Sequence, residues 1–352
     1  IAIGVTLYYL LLQWPVDSPS NESVYSEQLI TDTINDSEPL LSQPLEPLSS
    51  LGESEEEVMS EERSYYEIKN ENLSLYLDPV TGRIELSQLN TISKTKDSQE
   101  PFVVLGPTYD EGSNRENIYF ANSGFYTRSQ GYLNPEFSKI SQEMTDDGGT
   151  VYTLEGSSKG MSFIRKIDIP VTGYKIVVED VVRSTLEEQV SVTPYVVIER
   201  DGSVVEEGGL MYTYLGPVFS STKDTYEKYD FDDIRDSSYQ NKSVGGWVAL
   251  IQHYFLSAWI PEQDEEYLYQ GRYGDKSGRY SLGYTSRDFL ISYGESAATK
   301  NTLYVGPKLP KQLAEIEENL DLTVDYGFLW WLGKPMYWLL DLGHSIFNNW
   351  GL

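Results

Sequence analysis

The sequence predicts a mainly β chain: one large β-sandwich with a C-terminal helix, followed by an amphipathic helix lying on a membrane surface. Three observations predict this class. Short apolar runs of period two, divided by Gly, Asp, Asn and Ser turns, occupy the span from Tyr65 to Leu322. Aromatics are abundant, with 28 Tyr among 352 residues, and many sit in these extended runs. Four of the seven Trp gather in the final segment, at Trp330, Trp331, Trp338 and Trp350. Tryptophan collects where one side of a segment is apolar and the other wet, above all at a membrane–water boundary. No repeat of fixed period is visible, which counts against a propeller or solenoid.

Residues 1–14 read IAIGVTLYYLLLQW, uncharged and closed by a Trp. Fourteen helical residues rise about 21 Å against a hydrocarbon core of about 30 Å, so the run falls short of a full span. It reads as the outer part of a truncated transmembrane anchor. A signal-peptide core is the rival reading, but Gln13 to Asp17 hold no small-x-small cleavage site. Residues 15–63 are rich in acids, Ser and Pro, and no Lys or Arg appears before Arg63. So little apolar mass cannot offset the entropy of ordering, and the segment is expected to be a disordered acidic tether. An acidic docking peptide is the other reading of it.

Residues 64–322 form the expected sandwich. NLSLYL (Asn72–Leu77), a turn at Asp78-Pro79-Val80-Thr81-Gly82 and RIELSQL (Arg83–Leu89) make a hairpin signal. VYTLE (Val151–Glu155), MSFIRKIDI (Met161–Ile169), YKIVVEDVV (Tyr174–Val182) and VSVTPYVVIE (Val190–Glu199) read as further strands. WVALIQHYFLSAWI (Trp247–Ile260), YSLGYT (Tyr280–Thr285), DFLISY (Asp288–Tyr293) and TLYVGP (Thr302–Pro307) complete the set. In LPKQLAEIEENL, Leu309, Leu313, Ile316 and Leu320 keep helical spacing while Glu315, Glu317 and Glu318 face out. That helix is expected to pack on the end of the sandwich.

Residues 323–352 carry the candidate site. Leu329, Leu332, Met336, Leu339, Leu340, Gly343 and Phe347 recur at steps of three and four, with Lys334, Asp341, Ser345 and Asn348 opposite. Pro335 suits the first turn of a helix, so the helix is expected to begin near Lys334. Such a helix lies in the bilayer surface rather than crossing it. The expected membrane-interface residues are Leu329, Trp330, Trp331, Leu332, Met336, Trp338, Leu339, Leu340, Phe347 and Trp350. A helix packed on a soluble core is the alternative for this stretch alone. The membrane-like run at the other end favours the interfacial reading.

Composition narrows the partners. The formal net charge of −29 repels nucleic-acid phosphates, so no nucleic-acid partner is expected. The chain has no cysteine, which excludes disulfides and thiolate chemistry. Chemistry is sparse elsewhere too. His253 reads as a strand histidine with an ordinary hydrogen-bond partner, and His344 as a surface group on the last helix. Asp230, Asp232, Asp233 and Asp236 lack the central Gly and final Glu of a calcium loop and read as a solvated acidic loop. Glu206 and Glu207 beside Gly208-Gly209 read as a turn. GSSKG (Gly156–Gly160) matches a nucleophile elbow around Ser158, but strand-like runs on both sides make it a hairpin turn. No phosphate-cradling Gly loop occurs, and no catalytic residue, metal or cofactor is expected.

GGWVALIQHYFLSAWIP (Gly245–Pro261), YVGPK (Tyr304–Lys308) and LDLTVDYGFLWWLGKPMYWLLDLGHSIFNNWG (Leu320–Gly351) carry a family resemblance. They resemble the YidC-type bacterial membrane protein insertases. The specific pieces are Asp325-Tyr326-Gly327 before the aromatic cluster, Pro335 opening the helix, and Asn349-Trp350-Gly351 at its exit. The order of anchor, tether, β domain and interfacial helix fits nearly the whole chain, while Tyr65 to Val244 is only broadly similar. The tether is unusually acidic for the family. The resemblance implies a periplasmic sandwich of aldose-mutarotase-like shape between the first two transmembrane helices of an inner-membrane protein. It implies the lipid bilayer, nascent membrane proteins and Sec translocon subunits as partners. The five-helix insertion core is expected after Leu352, so no insertion residue is carried over. Mutarotation by that fold uses histidines with a carboxylate, and the β domain offers His253 alone, so an enzyme is not expected. A non-catalytic carbohydrate- or peptide-binding sandwich anchored at the membrane is the rival function, and a structural spacer the third.

Overall fold

A computed structural model of the chain describes residues 65–106, 108–109, 116–201, 214–275, 277–324 and 339–340. The anchor expected at 1–14 and the tether at 15–63 lie outside them. So does the 323–352 segment except 323, 324, Leu339 and Leu340.

The described strands begin with β1 (Tyr66–Lys69), β2 (Leu73–Leu77), β3 (Ile84–Ser93), β4 (Pro101–Val103), β5 (Thr108–Tyr109), β6 (Glu116–Asn117) and β7 (Tyr119–Thr127). Next come β8 (Gly131–Leu133), β9 (Glu136–Met144), β10 (Thr150–Ser158), β11 (Met161–Ile169), β12 (Lys175–Ser184), β13 (Val190–Asp201) and β14 (Gly216–Ser220). The last are β15 (Glu227–Lys228), β16 (Tyr239–Val244), β17 (Trp247–Ile251), β18 (Phe255–Ile260), β19 (Glu266–Gly274), β20 (Arg279–Thr285), β21 (Phe289–Ile291) and β22 (Ser296–Pro307). One sheet runs β1-β2-β3-β7-β13-β20-β19-β16, with β4, β8 and β21 joined at its sides. The other runs β15-β14-β17-β18-β22-β12-β11-β10-β9. Strand pairing is antiparallel throughout both, as in β11 on β12 and β13 on β20. The expected large β-sandwich is borne out.

Local chemistry explains these elements. In β11 the burial alternates strictly, with Met161, Phe163, Arg165, Ile167 and Ile169 turned inward. The β2–β3 hairpin closes as its sequence requires: the Asp78 carboxylate accepts the Val80 and Thr81 amides, and Gly82 takes the left-handed conformation at φ 68°. β17 and β18 are buried at every position, which is why WVALI and FLSAWI read as continuous apolar runs rather than alternating ones. The two sheets meet across one apolar core. Trp259 of β18 is fully buried there and donates its Nε1–H to the Val197 carbonyl of β13 at 3.1 Å.

Three local readings are corrected. The stretch Trp247–Ile260 is two strands, because Gln252, His253 and Tyr254 form the turn between β17 and β18. His253 is therefore a half-buried turn residue, its ring 4.0 Å from that of Tyr254, and not a strand histidine. The Asp230–Asp236 cluster is a short helix, Phe231–Asp236, closed by a capping box between Asp230 and Asp233. The C-terminal helix spans Pro310–Ile316 and is followed by a 3-10 turn, Leu320–Thr323. Leu313 and Leu320 are buried as the spacing predicts, but Leu309 faces solvent. Ser158 ends β10, and the chain turns at Lys159-Gly160 into β11, as the hairpin reading has it.

Candidate functional site

The functional candidate is the end of the sandwich from which the chain leaves toward residues 323–352. After β22 the chain folds back over β17. Trp247 donates its Nε1–H to the Glu318 carbonyl at 3.3 Å, while Leu313, Leu320 and Thr323 are wholly buried. Two glycines make room beside this junction. Gly245 and Gly246 both have positive φ, and a Cβ on Gly246 would lie 2.2 Å from the Ser220 carbonyl oxygen. Gln263 staples the same corner. It accepts the Gly246 amide at 2.7 Å and donates to the Gly246 and Pro261 carbonyls at 3.2 and 2.8 Å. The exit is thus rigidly tied to the β16–β17 and β18–β19 turns.

This end is acidic. Glu262, Asp264 and Glu265 lie on the β18–β19 turn, Glu266 opens β19, and Glu315, Glu317 and Glu318 lie on the returning segment. Burial raises the Tyr267 phenol, and the nearby Glu265, Glu262 and Asp264 carboxylates raise it further. Partial burial also lifts the Glu317 carboxyl above its ordinary range. Arg287 reaches Glu265 at 3.4 Å across the same corner.

Of the expected membrane-interface residues, Leu339 and Leu340 are described. Both are helical and exposed, at 57% and 49%. Leu329, Trp330, Trp331, Leu332, Met336, Trp338, Phe347 and Trp350 lie outside the described residues, as do His344, Glu206 and Glu207. Among the described residues, no helix is long and apolar enough to cross a membrane.

Two polar groupings were not singled out from the sequence. In the core, Arg165 of β11 donates from Nε to Asp180 of β12 at 2.6 Å and from Nη1 to the Gly82 carbonyl at 2.8 Å. It also donates to the Ser123 carbonyl of β7, whose hydroxyl donates to Asp180. The signal was a charge at an inward position of a strict alternation. The space bounded by Gly82, Asn122, Ser123, Arg165, Val178 and Trp259 is packed too tightly to admit water. On the opposite face of the first sheet, Tyr126, Tyr132 and Tyr195 stack edge to face at 5.2 and 4.9 Å. Glu199 beside them is 2% exposed and accepts the Ser281 hydroxyl at 3.1 Å, with Arg279 at 4.0 Å. Neither neighbour supplies the matched acid–base partner that proton transfer needs. Among the described residues no cluster of three or more His, Cys, Asp or Glu could hold a metal ion.

Residues 65–339 match the YidC periplasmic domain family. The chain belongs to that family. Curated relatives of this chain are named membrane protein insertase YidC. The one from Shewanella halifaxensis is 33% identical over 283 residues, covering 80% of this chain and 52% of the relative. The one from Haemophilus influenzae is 29% identical over 365 residues, covering 100% of this chain and 63% of the relative. The chain thus spans about half to three fifths of these relatives' length. Among solved structures, an alpha-galactosidase AgaA variant from Geobacillus stearothermophilus, in complex with stachyose, is 6% identical at a TM-score of 0.50. It covers 72% of this chain and 42% of that one. This likeness bears on the fold alone. A galactose mutarotase related enzyme from Lactobacillus acidophilus is 8% identical at a TM-score of 0.44, over 69% of this chain and 97% of its own.

Proposed function

We propose that this chain is the periplasmic part of a membrane protein insertase, which helps insert and fold inner-membrane proteins alone or with the Sec translocon. Its parts are an anchor at 1–14, a tether at 15–63, the sandwich at 64–322 and an interfacial helix at 323–352. The bilayer, nascent membrane proteins and translocon subunits are its partners, and its own role is docking rather than catalysis. The name of its relatives supports the insertase reading. The rival, a membrane-anchored sandwich that binds carbohydrate or peptide, is not favoured by those relatives.

One observation carries the reading of the tail. The sandwich is closed by a returning helix whose last turn, Leu320–Thr323, is pinned to the core, and the Trp-rich amphipathic sequence follows at once. A rigid body therefore passes directly into a segment suited to the lipid boundary. The piece 64–352 holds every described strand and helix, so it carries the sandwich together with the tail. That piece is expected to float with phosphatidylcholine vesicles. Changing Trp331, Trp338 and Leu339 together to Ser is expected to leave it at the bottom of the gradient. Equal flotation of the two proteins would remove the interfacial role. In the whole insertase, photo-cross-linkers on the sandwich are expected to capture translocon subunits or nascent membrane proteins. Capture of neither would remove the docking role.

A further inference from the structure

We infer that the loop Ser286–Gly294 is a second contact with the bilayer, with Leu290 and Tyr293 entering the lipid boundary beside the exit of the chain. The inference rests on the interfacial reading of residues 323–352. Leu290 is 65% and Tyr293 69% exposed, and they stand three residues apart on one loop. Isolated exposed apolar residues need no explanation, but a pair on one rigid tip does.

The tip is rigid because its backbone is tied on every side. The Ser286 amide donates to the Pro194 carbonyl at 3.1 Å, and the Gly294 amide to the Ser184 carbonyl at 2.8 Å. β21 pairs with the start of β13, setting Leu290 against Ser191 while Ile291 turns into the core. Arg183 donates to the Gly294 carbonyl at 3.0 Å. Two apolar side chains are thus presented at little further ordering cost, as insertion into an interface requires.

Position selects lipid as the occupant. Glu318 binds Trp247, Trp247 follows Gly245-Gly246, the Gly245 amide donates to the Glu265 carbonyl, and Glu265 pairs with Arg287 at the root of the loop. The loop and the departing chain therefore share one end of the sandwich. From Val324 to Lys334 the chain reaches at most about 35 Å, which keeps that end close to the surface where the tail rests. Charge agrees as well. Ser286–Gly294 carries only Arg287 and Asp288, and so is neutral in a chain of net charge −29. The arginines at its two ends, Arg287 and Arg183, can lie along lipid headgroups while the apolar pair goes deeper.

The absence of cysteine allows a direct test. Single variants Leu290→Cys, Leu340→Cys and Tyr254→Cys of the 64–352 piece, each carrying an environment-sensitive dye, are mixed with phosphatidylcholine vesicles containing a nitroxide-labelled lipid. Tyr254 is 66% exposed on the β17–β18 turn, at the other end of β17 from Trp247, and serves as the reference. The dyes at 340 and 290 are expected to shift to the blue and be quenched, and the dye at 254 to stay as in water. A response at 340 without one at 290 overturns the loop contact and leaves the interfacial tail standing. Silence at both positions removes the tail reading, and the loop contact with it. A response at 254 equal to that at 290 overturns the inference by showing no preferred end. Leu290→Ser with Tyr293→Ser is expected to lower vesicle partitioning at least threefold with an unchanged thermal melt, and unaltered partitioning overturns the inference.

Discussion

Glu199 shows how one residue ties burial to pH. Its carboxyl is raised above the ordinary range because burial penalises its charged form, and the Ser281 hydroxyl and Arg279 only partly compensate. A group raised on folding takes up its proton in the folded state first. Its contribution to stability is therefore fully present below the unfolded value and is lost as pH rises through the folded one. Glu199→Gln keeps the shape and the Ser281 contact but removes the charge. The variant is expected to gain most over the native protein at neutral pH, and the gain is expected to vanish near the unfolded carboxylate value of about 4.3. Urea unfolding at several pH values measures this, and a pH-independent difference would contradict it. Gln270 of β19, separated from β13 by β20, is 3% exposed, and neither its amide oxygen nor its nitrogen has a hydrogen-bond partner in the protein. Neither residue stood out from the sequence. VIE and YQG give no sign that the outer face of this sheet is covered, and burial of a polar residue is not a property of its neighbours in the chain.

Between elements, the Arg165–Asp180 pair links the two sheets. Both residues belong to the second sheet, yet their remaining hydrogen bonds go to Gly82 in the β2–β3 turn and to Asn122 and Ser123 of the first sheet. A buried pair of this kind adds little over well-packed apolar residues, but removing one partner strands a charge. Asp180→Leu alone is expected to cost about 3–5 kcal/mol, and Arg165→Met with Asp180→Leu to recover most of that loss. Denaturant titration of the two variants decides it, and a single variant as stable as the double would sink the argument. β11 and β12 were legible to within two residues because their inward and outward faces differ sharply. β9 was not. EFSKISQEM is a polar edge strand exposed at nearly every position, so it carries no alternation to read. β7 was missed for another reason: YFANSGFYT puts Ser123 inward to meet Asp180, and Gly124 where the Tyr195 ring lies 3.3 Å from a Cβ position. The β17–β18 turn escaped because Gln252-His253-Tyr254 holds neither Gly nor Pro, the usual turn markers.

At the scale of the whole molecule, charge and attachment pull in opposite directions. The chain carries a net charge of −29, and Glu262, Asp264, Glu265, Glu266, Glu317 and Glu318 crowd the end from which it leaves toward the Trp-rich tail. If that end faces the bilayer, the apolar contacts hold the sandwich down while its own carboxylates repel anionic headgroups. The opposition depends on lipid charge and on salt, whereas the apolar term does not depend on lipid charge. Replacing about a third of the phosphatidylcholine with phosphatidylglycerol is expected to weaken flotation of the 64–352 piece several-fold at about 0.01 M salt, where the screening length is about 30 Å. At about 1 M salt, with a screening length of about 3 Å, the two vesicle types are expected to bind alike. Changing Glu262, Asp264, Glu265 and Glu266 together to Gln is expected to narrow the low-salt gap. The same four changes on the opposite end, at Asp146, Asp147, Glu143 and Asp275, are not. Stronger binding to the anionic vesicles at low salt would mean that the acidic end points away from the membrane, and both the tail and the loop would then need another partner.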